Sequence, residues 1–135
     1  MQAIPSGAWV VVADGTHARL FQNIGEKDVL QLRQADVWTP ENVEASAGTA
    51  EDGASDATIV QVDETLFARQ LAQRLNAEAL DHAFDHLFLV ADPSTLGEMR
   101  PRLHVEATRR LCGELAKTLT NSSLEDIERS LKVKA

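Results

Sequence analysis

The feature that most constrains this chain is its opening stretch, GAWVVVADGTHARLF, from Gly7 to Phe21. Val10 to Ala13 is a continuous, β-branched apolar run of the kind that forms a buried strand. It ends in Asp14-Gly15, and a strand ending this way opens either a nucleotide-binding unit or a hairpin. A dinucleotide fold needs further glycines and then a helix whose N-terminus meets the pyrophosphate. Here the chain alternates instead, with Ala18 and Leu20 against His17 and Arg19 and with Phe21 closing the run. Alternation of period two is a strand, and Asp-Gly between two strands predicts a hairpin. No phosphate cradle is expected, and Asp14 and Gly15 are read as structural turn residues.

A third strand is predicted at about 29–37, after Gly25-Glu26-Lys27-Asp28, with Leu30, Leu32 and Ala35 as its apolar positions. Residues 39–58 then change character, with five acidic side chains, no basic ones and many Ala, Gly, Ser and Thr. So few apolar groups cannot offset the entropy of ordering, and a long mobile loop is expected. Loops of this length in a compact domain are usually either functional or disordered, so Gly48, Thr49, Glu51, Asp52 and Gly53 are candidates for a recognition element, with an inert insertion as the plainer alternative. Asp63 is the predicted N-cap of the longest helix, at about 64–80, with Leu66, Phe67, Leu71, Leu75 and Ala79 at helical spacing. Leu87 to Ala91 reads as a central strand, and Asp92-Pro93-Ser94 starts a short helix that Pro101 ends or bends. A turn or short helix is expected at Val105 to Thr108. A strand follows at Leu111 to Leu119, with Leu111, Gly113 and Leu115 on one face. Ser122 or Ser123 caps a last helix running to about Leu131.

The order β-β-β, loop, α, β, α, β, α gives an α/β domain spanning residues 1–135. Its mixed sheet begins with an antiparallel three-strand meander, and helices cover both faces. A chain of 135 residues is long enough to bury roughly two-thirds of its unfolded surface. With only two Trp, four Phe and no Tyr, the core must be mainly Leu, Val and Ala. The lone Cys112 has no internal disulfide partner and fits a reducing compartment. Met1 to Gly7 lack the basic and apolar segments of a signal peptide, so the expected location is the cytoplasm.

The formal net charge is −8, and residues 1–60 contain only Arg19, Lys27 and Arg33 against nine carboxylates. Such a surface repels phosphate overall, which disfavours broad nucleic-acid binding and DNA in particular, while leaving room for a local basic patch. Arg100, Arg102, Arg109 and Arg110, with His104, form the dense basic cluster of the chain. They are the candidate contacts for RNA phosphate or an acidic protein. The plainer alternative is a solvated face that balances nearby acids. His82 and His86 are four apart, but the helix is expected to end near residue 81, so the two rings diverge and no metal or cofactor is expected. A metal-dependent nuclease would need several converging carboxylates, and no pattern brings Asp85 or Asp92 to Asp14. No catalytic residue is assigned.

The segments Trp9 to Phe21, FARQLAQRL (67–75), FDHLFLVADPSTLG (84–97) and KTLT (117–120) resemble the bacterial host attachment protein family. That family is in turn similar to the middle domain of archaeal and eukaryotic peptide-chain release factors and of Pelota, with an RNase-H-like sheet. The resemblance implies a cytoplasmic protein that binds rather than catalyses, associating with the ribosome or translation proteins. The alternative it implies is an interaction module supporting attachment to host cells. In release factors the loop before the long helix carries Gly-Gly-Gln. Here that loop reads AGTAEDGAS (47–55), which argues against peptidyl-tRNA hydrolysis. Thr118 stands where the family's late Lys-Asp-Leu-Thr motif has Asp.

Overall fold

The computed structural model describes residues 4–26, 29–43 and 64–134. They form β1 (Trp9–Ala13), β2 (Ala18–Asn23), β3 (Leu32–Trp38), α1 (Glu64–Leu80), β4 (Leu87–Ala91), α2 (Pro93–Met99), α3 (Val105–Arg109), β5 (Leu111–Ala116) and α4 (Leu124–Lys134). A single 3-10 turn, Arg100–Arg102, joins α2 to α3. The five strands make one sheet in the order β3-β2-β1-β4-β5. β1 pairs antiparallel with β2 and parallel with β4, and β5 continues the parallel half. The expected hairpin, meander and mixed sheet are all present.

β1 and β4 are buried along their whole length, as expected of central strands covered on both faces. Trp9, Val11 and Ala13 point toward the layer of α1, α2 and α3, together with Leu87, Leu89 and Ala91. Val10, Val12, Phe88 and Val90 point toward α4, which contributes Ile127 and Leu131. α1 covers the first face with Phe67, Ala68, Leu71, Ala72, Leu75 and Ala79. Each large side chain in that stripe contributes roughly 1.5–3 kcal/mol by leaving water. Leu66, expected in the stripe, is 48% exposed, and Ala68 and Ala72 take the inward positions. Small residues there let the helix lie close to the sheet.

Two bulges correct the predicted strand faces. In β3 the register shifts opposite Leu20 and Phe21, which leaves Ala35 unpaired and exposed. Leu32 and Trp38 are the residues that β3 buries, and the strand runs from 32 to 38 instead of 29 to 37. In β5 Leu87 pairs with Leu111 but Phe88 pairs with Gly113, so Cys112 is the extra residue. One extra residue reverses the alternation. Leu111 therefore packs on the α1 side while Leu115 packs with Cys112 on the α4 side. Burial pushes the Cys112 thiol pKa up, as suits a small packed residue.

The hairpin between β1 and β2 is closed by side-chain chemistry. Asp14 N donates to His17 O at 3.0 Å, and Asp14 Oδ1 accepts from Thr16 N, Thr16 Oγ1 and His17 N at 2.8–3.0 Å. Gly15 is not among the positive-φ residues, so the connection is a four-residue loop and not a two-residue primed turn. Further along, buried Asn23 replaces missing backbone pairing. Its Nδ2 donates to Ile4 O and Pro5 O, and its Oδ1 accepts from Gly25 N and Gln31 N.

The segment after β3 starts in an ordered way. Val43 is fully buried, its N–H donates to Thr39 O, and its carbonyl accepts from Arg74 Nη1 at 2.8 Å. Residues 39–43 are therefore fixed, where mobility was expected from residue 39. Gly48, Thr49, Glu51, Asp52, Gly53 and the proposed cap Asp63 lie outside the described residues. β1, β3, β4 and β5 run in the same direction, so their C-terminal ends lie at one end of the sheet.

Candidate functional site

Pro101 shapes the arginine-rich segment. It has no N–H to continue the α-helical ladder, so the chain tightens into the 3-10 turn that presents Arg100, Pro101 and Arg102 to solvent. Leu103 packs down onto the core. Asn76 of α1 pins the junction between this turn and α3, donating from Nδ2 to Arg102 O at 2.9 Å and accepting from His104 N at 2.7 Å. His104 is the N-cap of α3, where its Nδ1 accepts from Glu106 N at 3.0 Å. That bond requires Nδ1 to be unprotonated, which places the ring proton of neutral His104 on Nε2.

Each of the four arginines meets a carboxylate. Arg100 donates from Nε and Nη2 to Glu114 Oε1 at 2.9 and 2.6 Å. Arg102 Nη1 reaches Glu98 Oε1 at 3.2 Å, and Glu98 also lies 4.0 Å from Arg69 of α1. Glu106 accepts from Arg109 on Oε2 at 2.9 Å and from Arg110 on Oε1 at 2.6 Å. Hydrogen bonding to Arg110 holds the Glu106 carboxyl below its usual range, and hydrogen bonding to Glu114 raises the Arg100 guanidinium further. Arg110 differs from the others. Its side chain is only 15% exposed, and it also donates to Phe84 O and Glu106 O. It clamps α3 to the segment between α1 and β4, whereas Arg100 and Arg109 stand at 55% and 65% exposure. The patch therefore gathers five guanidiniums, Arg69 included, around three carboxylates.

A second cluster forms around Asp14, where β1 ends beside the start of α2. Thr120, in the loop after β5, donates from Oγ1 to Asp14 Oδ2 at 2.7 Å. Arg19 Nη1 holds the same loop through Thr120 O at 3.0 Å and Ser122 O at 2.7 Å. Burial pushes the Asp14 carboxyl pKa up, but the hydrogen bonds from Thr120, Thr16 and His17 together outweigh it and leave it below its ordinary value. Both carboxylate oxygens are engaged. Asp92 ends the neighbouring strand, since Ala13 and Ala91 are in register, and it caps α2 by accepting from Thr95 N and Thr95 Oγ1. His82 and His86 sit exposed in the turn after α1, with His82 Nδ1 3.5 Å from Arg110 Nη2. Among the described residues no group of three or more His, Cys, Asp or Glu could hold a metal ion.

Thr120, Arg19 and Arg69 were not singled out by sequence reading. Thr120 lies inside the KTLT segment, but its role depends on a residue in the first hairpin, and no local spacing signals it. The four clustered arginines are legible as a run, and Glu98 and Glu106 lie at the helical spacing that pairs with Arg102, Arg109 and Arg110, whereas Glu114 and Arg69 are brought in by the fold.

The model of bacterial archaeo-eukaryotic release factor family 12 matches residues 7–131. The chain belongs to that family. A comparison with curated proteins gives no match. Family membership bears out the release-factor side of the resemblance and does not bear on attachment to hosts. The mixed five-stranded sheet with helices on both faces is consistent with a release-factor-like domain. No helix among the described residues of this release-factor relative is long and apolar enough to cross a membrane.

Proposed function

We propose that this release-factor family member acts by binding the translation machinery, in the cytoplasm, and not by catalysis. The observation that carries the reading is the exposed arginine surface of α1–α3. Arg69, Arg100, Arg102 and Arg109 extend there from a rigid helical layer, on a chain whose net charge is −8. A local excess of guanidinium on an acidic protein limits phosphate contact to one face, which favours a defined docking geometry over diffuse binding. His104 supports this face by fixing the start of α3. A binding role is further supported by the Asp14 carboxylate, whose oxygens are committed to holding the hairpin and the loop after β5. The absence of Gly-Gly-Gln from the sequence speaks against peptidyl-tRNA hydrolysis.

Co-sedimentation with ribosomes across a salt series tests this function. The chain is expected in ribosomal fractions at low salt, released as salt rises, and weakened by the double substitution Arg100→Glu, Arg109→Glu. Complete absence from ribosomal fractions at low salt rejects it.

A further inference from the structure

Glu98, Glu106 and Glu114 occupy the positions on the arginine surface that an external anion would take. Glu114 Oε1 receives both Nε and Nη2 of Arg100, which is one guanidinium fork filled by one oxygen. Glu106 divides its two oxygens between Arg109 and Arg110. Glu98 stands between Arg102 and Arg69. A guanidinium fork recognises carboxylate and phosphate through the same paired N–H donors. We infer that these three glutamates are internal competitors for RNA backbone phosphates, so that the surface engages RNA by exchanging its own carboxylates.

The inference rests on the translation role proposed above and names the ligand chemistry of the same face. Two features favour RNA phosphate over an acidic protein. All five cations are arginines, whose planar forks suit bidentate phosphate contact. An external carboxylate exchanged for Glu98 or Glu114 gains no new chemistry, and the resident acid holds the advantage of being intramolecular. A phosphate backbone offers anions in series and releases its condensed counterions on contact. Exchange is open at Arg69, Arg100, Arg102 and Arg109, whose side chains are 35–65% exposed and whose pairs are correspondingly weak. Arg110 stays in place, held by backbone carbonyls.

The test is a fluorescence-anisotropy titration of a labelled A-form RNA hairpin with the full chain over a salt series. Wild type is compared with Glu98→Gln, Glu114→Gln, and Arg100→Ala combined with Arg109→Ala, with thermal melts confirming that each variant is folded. Each glutamine variant is expected to bind about two- to fivefold more tightly at low salt, with a steeper dependence on salt for each guanidinium freed. Equal affinities for wild type and the glutamine variants, with weaker binding by the arginine variant, would overturn the competitor role and leave the RNA surface standing. No RNA binding by any variant, with ribosome co-sedimentation intact, would overturn the inference and leave the translation role to another face. Loss of both would remove the two together. Preferential binding of polyglutamate over the hairpin would assign the surface to an acidic protein and overturn it as well.

Discussion

The Thr120 hydroxyl donates to Asp14 Oδ2 over 2.7 Å, joining residues 106 positions apart. The bond ties the first hairpin to the loop after the last strand, and Arg19 reinforces it through two carbonyls of that loop. A hydrogen bond to an ionised acceptor contributes more than a neutral one.

Thr120→Val is expected to cost about 2 kcal/mol at neutral pH, since it removes the hydroxyl and preserves the shape. The Asp14 pKa is lowered in the folded chain from an ordinary value of 3.8. The stability from this carboxylate is therefore present above that value and is lost as pH falls through the folded-state value beneath it. Urea melts at a series of pH values should show the gap between wild type and Thr120→Val narrowing in acid. A gap that stays constant would mean that the bond does not sense the charge on Asp14.

Arg110 and Arg109 are adjacent in sequence and should respond differently to truncation. Arg110→Ala strands the carbonyls of Phe84 and Glu106 in a half-buried clamp and is expected to cost about 2 kcal/mol. Arg109→Ala, at 65% exposure, should stay within about 0.5 kcal/mol of wild type. Thermal melts followed by circular dichroism decide it. Two equally mild effects would show that Arg110 is free to meet a partner.

His82 carries a φ of 59°, the left-handed conformation that favours glycine. It ends α1 in a Schellman arrangement, with Ala83 N donating to Glu78 O at 2.9 Å and His82 N to Ala79 O at 3.0 Å. His82→Gly should raise stability by about 0.5–1 kcal/mol. A lower melting temperature would mean that the ring's approach to Arg110 outweighs the backbone strain.

Gly25 and Gly97 should respond to alanine with opposite signs. A Cβ on Gly25 would sit 2.0 Å from the Val29 carbonyl oxygen, so Gly25→Ala must displace backbone and is expected to cost about 3 kcal/mol. A Cβ on Gly97 would meet nothing within 4 Å inside α2, and Gly97→Ala should gain about 0.5–1 kcal/mol. Denaturant midpoints read both, and matching signs would contradict the local geometry of one site.

Much of the molecule could be read from periodicity, because burial on two faces leaves a mark on each element. Val10 to Ala13 and Leu87 to Ala91 had to be central strands, since continuous apolar segments so short are stable only when both faces are covered. Asp-Gly followed by alternation fixed the hairpin, and Asp92-Pro93 fixed the start of α2 through a cap and a proline at the first turn. The strand faces were less legible. The extra residues Ala35 and Cys112 reverse the alternation, and a bulge depends on the partner strand rather than on local composition.

By itself, the sequence determined the order of elements, the two-faced core and the concentration of arginines between residues 100 and 110. Tertiary structure alone decided that Arg100 meets Glu114, that Arg69 of α1 joins Arg102 at Glu98, that Arg110 reaches the Phe84 carbonyl as a clamp, and that Thr120 closes on Asp14. The physical reason is reach. Hydrophobic period, capping and the i,i+3 and i,i+4 pairs of Glu98 and Glu106 act within a few residues, whereas the Arg100–Glu114 pair and the Thr120–Asp14 bond depend on where the sheet carries groups that are distant in the chain.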